Sequence, residues 1–182
     1  MSVGALGDGR RRRQTAPKDD DVVIVFAGRT PLTKAKRGGL RDTPVDDMVA
    51  AVLKAAVEAT GISPHEVGDV VFGSVLGAAS QRATECRIGM FLAGFPEKVP
   101  VHTVNRQCSS GLQSIASVAA SIKAGFYDIG IAGGVESMST HSMHAALGSP
   151  PDVDFDEATG EPTGILREGA CTTLVAPIIG NI

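Results

Sequence analysis

The sequence predicts an α/β protein in which helices cover a layered, mainly parallel sheet, in the chain order β-α-β-α-β-α-β. Four short apolar runs rich in Val and Ile predict strands, at 21–28, 69–76, 99–105 and 128–135. Three segments with apolar residues at helical spacing separate them, at 43–61, 83–95 and 109–124. Strands that alternate with helices at such spacings favour parallel β-α-β units with right-handed crossovers.

The first strand and the first helix have clear local signals. Residues 21–28, DVVIVFAG, form a continuous apolar run typical of a strand covered on both faces. Thr43 is predicted to cap the first helix, with Pro44 at the first helical position, where its missing N–H costs nothing. Gly61 predicts the end of this helix, because glycine readily adopts the left-handed conformation found at helix ends.

The later elements are predicted from apolar content and glycine. Residues 69–76, DVVFGSVL, and 128–135, DIGIAGGV, predict strands, and their glycines allow close approach of neighbouring backbones. In the helix predicted at 109–124 the only charged residue is Lys123, and small residues occur on several faces. This composition predicts a central helix buried on all sides after the third strand, so that its N-terminus lies in a deep, dry niche.

Charge and composition exclude several classes of function. The 182 residues contain 17 Lys and Arg against 20 Asp and Glu, which argues against a nucleic-acid partner or an anionic membrane surface. No apolar stretch reaches the roughly 18 residues of a membrane span. Three cysteines do not make a disulfide framework, so we expect a reducing compartment and at least one thiol kept for another purpose.

Charge also divides the chain into three parts. Residues 1–20 are expected to be a disordered basic leader, and they lack the apolar segment of a secretory signal. Residues 21–144 are expected to form the globular domain. Residues 145–182 form an acidic tail that is broken by Pro and Gly and has an apolar end, and no helix or strand is predicted for it.

Cys108 is the strongest candidate for a catalytic residue. It follows the third predicted strand directly and precedes a predicted helix. Unpaired backbone N–H groups and the positive end of the helix dipole would both stabilise a thiolate there, which makes more nucleophile available at neutral pH. The residues alone leave two alternatives open, a nucleophile and an inert buried cysteine.

The other chemistry-bearing residues are expected to be structural. His141 and His144 lack a third ligand at suitable spacing, which favours two surface histidines over a metal site. Cys86 is predicted to lie in the core and His102 to be a packed strand residue. A basic loop could contact phosphates but is expected to be solvated; it contains Lys34, Lys36, Arg37 and Arg41.

Two motifs and their flanks carry a family resemblance. VNRQCSSGLQ at 104–113 and GFYDIGIAGGVESMS at 125–139 resemble the thiolase family, and specifically the 3-ketoacyl-CoA thiolases of peroxisomal or glyoxysomal fatty-acid β-oxidation. The flanking segments 28–43 and 73–108 agree, so the resemblance covers residues 21–144 almost without a gap. The Asn-Arg-Gln sequence before the cysteine disfavours a related alternative, a ketosynthase-like condensing enzyme.

The resemblance implies a mechanism and partners. Cys108 would attack the keto carbon of a 3-ketoacyl-CoA and expel the acetyl-CoA enolate, and coenzyme A, a co-substrate rather than a tightly bound cofactor, would then take the acyl group. The backbone N–H of Cys108 would be one donor of the oxyanion hole. A homodimer formed through the third strand is implied. The GGVESM residues are implied to be mainly structural, not catalytic; they include Gly133, Gly134, Glu136, Ser137 and Met138.

The family's second half supplies motifs that these 182 residues do not contain: Asn-Glu-Ala-Phe, Gly-His-Pro and Cys-x-Gly. Cys171 lies in GACTTL, which does not match. The family's first half would also continue past residue 144 into a helix and a central strand, which the tail does not resemble. We therefore expect a truncated thiolase that is inactive alone and prone to aggregate. The alternative is a non-catalytic thiolase-like fragment that only associates with a full-length thiolase.

The resemblance also implies a compartment, the peroxisome or glyoxysome. The sequence itself offers no recognisable targeting signal, because residues 1–20 contain no His and the chain does not end in Ser-Lys-Leu.

Overall fold

The computed structural model describes residues 18, 20–77 and 80–141, together with the backbone of one later strand, Leu174–Gly180. The strands are β1 Val22–Ile24, β2 Gly28–Arg29, β3 Asp69–Gly73, β4 Val101–Val104, β5 Ile129–Gly134 and β6 Leu174–Gly180. The helices are α1 Val45–Thr60, α2 Ala83–Leu92 and α3 Ser110–Lys123, and a 3₁₀ turn spans Pro64–Glu66. None of the helices in these described ranges has the length and apolar character needed to cross a membrane.

The strands form one sheet in the order β1-β6-β5-β3-β4, and β2 also pairs with β6. Strand β3 lies parallel to β4 on one side and to β5 on the other. Strand β6 is antiparallel to β1, β2 and β5, so β1 runs in the same direction as the three parallel strands. The predicted α/β fold with a mainly parallel sheet is therefore confirmed.

Alternate residues of β3 point to opposite faces of the sheet, and this separates the core into two clusters. Val70 and Phe72 belong to the larger cluster, which α1 and α2 cover. Val71 belongs to the smaller cluster, which α3 covers with Val118 and Ile122. The sheet therefore lies between two helical layers, with α1 and α2 on one face and α3 on the other.

The start of α1 differs from the prediction. The helix begins at Val45, and the residue before it, Pro44, is the N-cap with an extended backbone (ψ 151°) and no side-chain capping bond. The prediction that Thr43 caps this helix is wrong, because the fixed proline ring occupies the cap position rather than the first turn. The predicted end is confirmed: Gly61 has φ +69°, and its N–H donates to the carbonyl of Val57.

The first predicted strand is split and is not covered on both faces. It forms β1 and β2, and Val23, Ile24 and Val25 remain 39%, 57% and 40% exposed. The reason is position, because β1 lies at an edge of the sheet while the helices pack over its centre. Sequence pattern alone cannot distinguish an apolar strand at an edge from one at the centre.

Strand β6 is a second correction, because no strand is predicted in residues 145–182. Leu174–Gly180 lies inside the sheet and pairs with β5 on one side and with β1 and β2 on the other. The interior strand that the family resemblance implies is therefore present, although the tail was not expected to supply it. Its partners lie about 40 and 150 residues away in sequence, and such pairing has no local signal.

Helix α3 is buried on one face, not on all sides as predicted. Ser110, Ser114, Val118 and Ile122 are buried at every fourth position against the sheet. On the opposite side Leu112 is 70% exposed. The small, uncharged composition that predicts complete burial is present, but the described residues cover only one side of the helix.

Candidate functional site

The carboxyl ends of three parallel strands meet at one edge of the sheet. Gly73, the last residue of β3, lies in register with Val104 of β4 and with Gly134 of β5. The loops that follow these residues therefore begin side by side. This is the edge at which ligands bind in open α/β sheets, and Cys108 lies in the loop after β4.

Cys108 lies between β4 and α3, as predicted, with α3 beginning two residues later. Its side chain is exposed rather than enclosed, so the expected dry niche is not formed by the described residues. The backbone N–H groups in the first turn of a helix have no intrahelical acceptors, and Cys108 lies at this end of α3. The thiol is accessible to an acyl donor, and the next two amides, of Ser109 and Ser110, donate to the carbonyls of Arg106 and Gln107 within the turn.

Cys86 has the opposite environment. It is fully buried in the core between α2 and the sheet, and burial raises the pKa of its thiol to about 12. Its prediction as a core residue is confirmed. Of the two cysteines within the described ranges, Cys108 is the one that is accessible to a reactant.

The residue before Cys108 has an unusual backbone conformation. Gln107 has φ +50°, which non-glycine residues adopt rarely. The Asn105 Oδ1 atom accepts a hydrogen bond from the Gln107 N–H at 3.0 Å. The Ser110 hydroxyl accepts from the Arg106 N–H at 2.8 Å and donates to the Gln107 carbonyl at 2.6 Å. The sequence motif assigns no structural role to Asn105, Gln107 or Ser110, since their roles depend on one turn in three dimensions.

Small residues bring α3 directly onto the strand ends. A Cβ atom at Gly73 would lie 2.3 Å from the carbonyl carbon of Ser110, so only glycine fits there without displacing the helix. The Ser114 hydroxyl lies 2.7 Å from the carbonyl oxygens of both Gly111 and Gly133. The position of the turn that contains Cys108 is thus fixed by backbone contact between α3, β3 and β5.

Glu136 organises the loop after β3. Its carboxylate accepts from the Val75 N–H at 2.8 Å, from the Leu76 N–H at 3.2 Å and from the Ser74 hydroxyl at 3.4 Å. Two of these donors are backbone amides of a different loop, so Glu136 connects the loops after β3 and β5. This geometry supports the structural role that the family resemblance implies for the GGVESM segment.

Ser137 and Met138, which follow Glu136 in the GGVESM segment, line a small cleft together with the loop at 30–40. The cleft is lined by Ser137 and Met138 on one side and by residues of the basic loop and α1 on the other. The Lys36 N–H donates to the Ser139 hydroxyl at 2.9 Å, which ties the basic loop to the chain after β5. The basic side chains of this loop, Lys34, Lys36, Arg37 and Arg41, are exposed, as expected for a solvated loop.

A buried arginine that was not predicted lies at the start of α2. Arg82 is 2% exposed and adopts the left-handed conformation at the N-cap. Its guanidinium contacts the Glu85 carboxylate at 3.2 Å and His141 Nδ1 at 3.1 Å. Partial burial raises the pKa of Glu85, but hydrogen bonds from its own backbone, Ser80 and Arg82 hold it below the ordinary value.

The histidines do not form a metal site in the described part of the chain. His141 contacts Arg82, and His144 lies outside the described residues. No cluster of three potential metal ligands occurs among the residues described. His102 is half-exposed in β4, where its Nδ1 lies 3.4 Å from the Asp69 carboxylate, and burial raises the pKa of Asp69. His102 is thus paired with Asp69 and not with Cys108.

Comparison with known proteins identifies a family whose members resemble this chain in sequence. Residues 22–162 match the family model of the thiolase N-terminal domain, which extends beyond residue 144. Peroxisomal 3-ketoacyl-CoA thiolase 1 of Arabidopsis thaliana is 65% identical over 152 residues, which are 82% of this chain and 34% of that protein.

Two solved structures share the fold. The dimeric peroxisomal thiolase of Saccharomyces cerevisiae has a TM-score of 0.65 and 35% identity over 69% of this chain and 33% of that chain. A second peroxisomal 3-ketoacyl-CoA thiolase structure from S. cerevisiae, described as five layers built from two core domains of identical topology, has a TM-score of 0.67. At 22% identity over 91% of this chain and 62% of that chain, it shows the fold alone.

This chain matches its relatives at high identity but spans only part of their length. The chain spans between 31% and 34% of the plant relatives. The matched region includes β1 to β5, all three helices and the turn at Cys108. On the strength of the family match, this chain belongs to the thiolase family, and its residues 22–162 correspond to the family's N-terminal domain.

Proposed function

We propose that this chain supplies the acyl-accepting nucleophile, Cys108, of a 3-ketoacyl-CoA thiolase of fatty-acid β-oxidation. The observation that carries the proposal is an exposed thiol on a fixed turn at the carboxyl edge of the sheet, inside the thiolase N-terminal domain. The relatives named as peroxisomal 3-ketoacyl-CoA thiolases support this substrate class and a peroxisomal or glyoxysomal location.

The chemistry proceeds in two acyl transfers. The Cys108 thiolate attacks the keto carbon of a 3-ketoacyl-CoA, and the bond between this carbon and its neighbour breaks. Acetyl-CoA leaves as an enolate and takes up a proton, while the acyl group stays on sulfur as a thioester. The thiol of coenzyme A then attacks the thioester, loses its proton and releases an acyl-CoA that is two carbons shorter. Coenzyme A is thus a co-substrate, and no tightly bound cofactor is required.

The Cys108 amide is proposed as one donor to the oxyanion that forms in both steps. Cys108 lies two residues before α3 begins, at the positive end of the helix. A base for the thiol and a second acid are needed as well, and no His-Pro or Cys-x-Gly sequence occurs in the 182 residues. We therefore expect the 182-residue polypeptide by itself to show no thiolysis.

A homodimer through β4 is part of the proposal. Strand β4 is the outermost strand on its side of the sheet, so its outer hydrogen-bonding edge has no partner strand among the described residues. Such an edge is a template for pairing with a second strand. The S. cerevisiae thiolase that this chain resembles is dimeric, which supports the same assembly here.

The test is acylation of Cys108 in the presence of the second half of a thiolase. The 182-residue chain is incubated with a 3-ketoacyl-CoA, with and without a separately expressed C-terminal half of a peroxisomal 3-ketoacyl-CoA thiolase. We expect acylation at Cys108 in the mixture only, mapped by mass spectrometry, and none in Cys108→Ala. Acylation at another residue would contradict the role of Cys108, and turnover by the chain alone would contradict its dependence on a second half.

A non-catalytic fragment that only associates with a full-length thiolase is the alternative. Exposed apolar side chains favour association of some kind, since Leu112 is 70% and Phe126 80% exposed. In that case the chain would bind the C-terminal half or the full-length enzyme without becoming acylated at Cys108. The same mass-spectrometric experiment, combined with size-exclusion chromatography, separates the two possibilities.

A further inference from the structure

The peptide group between Gln107 and Cys108 is held from both ends of the turn. Gln107 is one of four non-glycine residues with positive φ in the described part of the chain, and it immediately precedes the nucleophile. A left-handed backbone at such a residue persists only where surrounding contacts enforce it. Two side chains, Asn105 and Ser110, contact its N–H and its carbonyl, and the Ser110 backbone N–H also donates to the same carbonyl at 3.0 Å.

The two side chains hold opposite sides of Gln107. Asn105 accepts from its N–H at 3.0 Å, while the Ser110 hydroxyl donates to its carbonyl at 2.6 Å. Rotation about either backbone bond of Gln107 would break at least one of these hydrogen bonds. The Ser110 hydroxyl also accepts from the Arg106 N–H at 2.8 Å, so its hydrogen has a defined direction.

Both side chains are themselves anchored. Ser110 is 4% exposed, and its backbone rests against Gly73 at the end of β3. The Asn105 Nδ2 atom reaches the Val75 carbonyl at 3.5 Å, and the Val75 N–H is held by Glu136 at 2.8 Å. The turn is therefore tied to the ends of both β3 and β5.

The Gln107 carbonyl and the Cys108 N–H belong to the same planar peptide group. A hydrogen bond to the carbonyl therefore fixes the direction of the N–H, which points the opposite way in a trans peptide. It also polarises the amide and strengthens the N–H as a donor. We infer that Ser110, assisted by Asn105, is a positioning residue that aims the Cys108 amide at the oxyanion; this inference rests on the proposed function.

Neighbouring serines provide the matched test. Ser110→Ala removes the shorter of the two hydrogen bonds to the Gln107 carbonyl and keeps the one from the Ser110 backbone N–H. Ser109→Ala removes a hydroxyl that makes no capping hydrogen bond to α3. Ser110→Thr keeps a hydroxyl at the same position. In the mixture with the thiolase C-terminal half, we expect Ser110→Ala to slow acylation of Cys108 by roughly 10- to 100-fold, with Ser109→Ala unchanged and Ser110→Thr largely restored.

A second measurement separates positioning from general damage. In alkylation, the Cys108 sulfur displaces iodide from iodoacetamide and no oxyanion forms. Alkylation of Cys108 should therefore change less than 3-fold in Ser110→Ala, which corresponds to ~0.6 kcal/mol. Equal loss of alkylation and acylation would show disruption of the turn as a whole and would overturn the inference. Acylation unaffected by Ser110→Ala would overturn it as well.

The inference can be tested even if the proposed function fails. Backbone chemical shifts of the isolated 182-residue chain report the conformation of Gln107 and the hydrogen bonding of the peptide that ends at the Cys108 amide. We expect Ser110→Ala and Asn105→Ala to shift both signals, and Ser109→Ala to shift neither. If Gln107 stays left-handed in both variants, the positioning role is wrong, whether or not the wild-type mixture becomes acylated.

Discussion

Cys86 and Cys108 carry the same thiol group but differ in burial. Cys86 is 0% exposed in the core, where burial raises the pKa of its thiol to about 12, while Cys108 is exposed at the end of α3. Only a thiolate is an effective nucleophile, so the environment of each sulfur decides which one can take part in chemistry. The difference comes from position in the fold, because Cys86 lies in α2 against the core and Cys108 in the turn before α3.

This difference predicts selective alkylation. At pH 8 a thiol with a pKa near 12 is ionised in about one molecule in ten thousand, and Cys86 is also inaccessible. Iodoacetamide should therefore modify Cys108 and leave Cys86 unmodified in the native chain, with both modified in guanidinium chloride. Trypsin places the two residues in separate peptides, 83–87 and 107–123, which mass spectrometry quantifies. Modification of Cys86 under native conditions would contradict the buried assignment.

At the scale of elements, the close contact between α3 and the sheet depends on glycine, which has no side chain to separate the two backbones. Gly73 allows the backbone of the first turn of α3 to touch β3, and Gly134 lies beside the same contact. Ser114 supplies a hydrogen bond where a larger apolar side chain would separate helix from strand. Because the turn with Cys108 leads directly into α3, the position of this helix against the sheet sets the position of Cys108.

Two glycine substitutions test this contact. In Gly73→Ala the new Cβ would lie 2.3–2.6 Å from backbone atoms of Ser110 and Gly111, so we expect a loss of about 1–3 kcal/mol in the free energy of unfolding. Gly111→Ala is the control, because nothing lies within 4 Å of its Cβ and alanine favours helix by about 1 kcal/mol. Urea unfolding followed by circular dichroism measures both. Equal stability of the two variants would show that α3 does not rest on Gly73.

At the scale of the whole molecule, the sheet is completed by a strand from the far end of the chain. Strand β6 separates β1 from β5, so among the described strands β1 and β2 join the sheet through β6 alone. The register also explains why the run at 21–28 is split. Three residues, 25–27, lie opposite only two, Ala176 and Pro177, which is a bulge, and proline cannot donate to the ladder.

The bulge gives a prediction for Pro177→Thr. Threonine restores a backbone donor and favours strands, so we expect β1 and β2 to join more continuously and the chain to gain about 1 kcal/mol in stability. Hydrogen exchange measured by NMR should show stronger protection of the amides at 25–27. Unchanged protection there, together with unchanged stability, would place Pro177 outside the sheet.

The sequence by itself determined the α/β class, most of the elements and the family, and it made Cys108 the candidate nucleophile. Apolar runs and helix-ending glycine have local causes, so β3, β5 and the end of α1 at Gly61 match their predictions closely. The motif around Cys108 likewise needed only its own residues to be recognised.

Tertiary structure alone decided which surfaces are covered and which groups hold the turn. The burial of only one face of α3, the edge position of β1 and the insertion of β6 depend on contacts between segments distant in the chain. The same holds for Ser110 and Gln107, since a hydroxyl becomes a positioning group only when a folded turn brings a carbonyl within 2.6 Å of it. Helix and strand propensities depend on a few neighbouring residues, whereas burial and hydrogen-bond geometry arise only when the helices pack on the sheet.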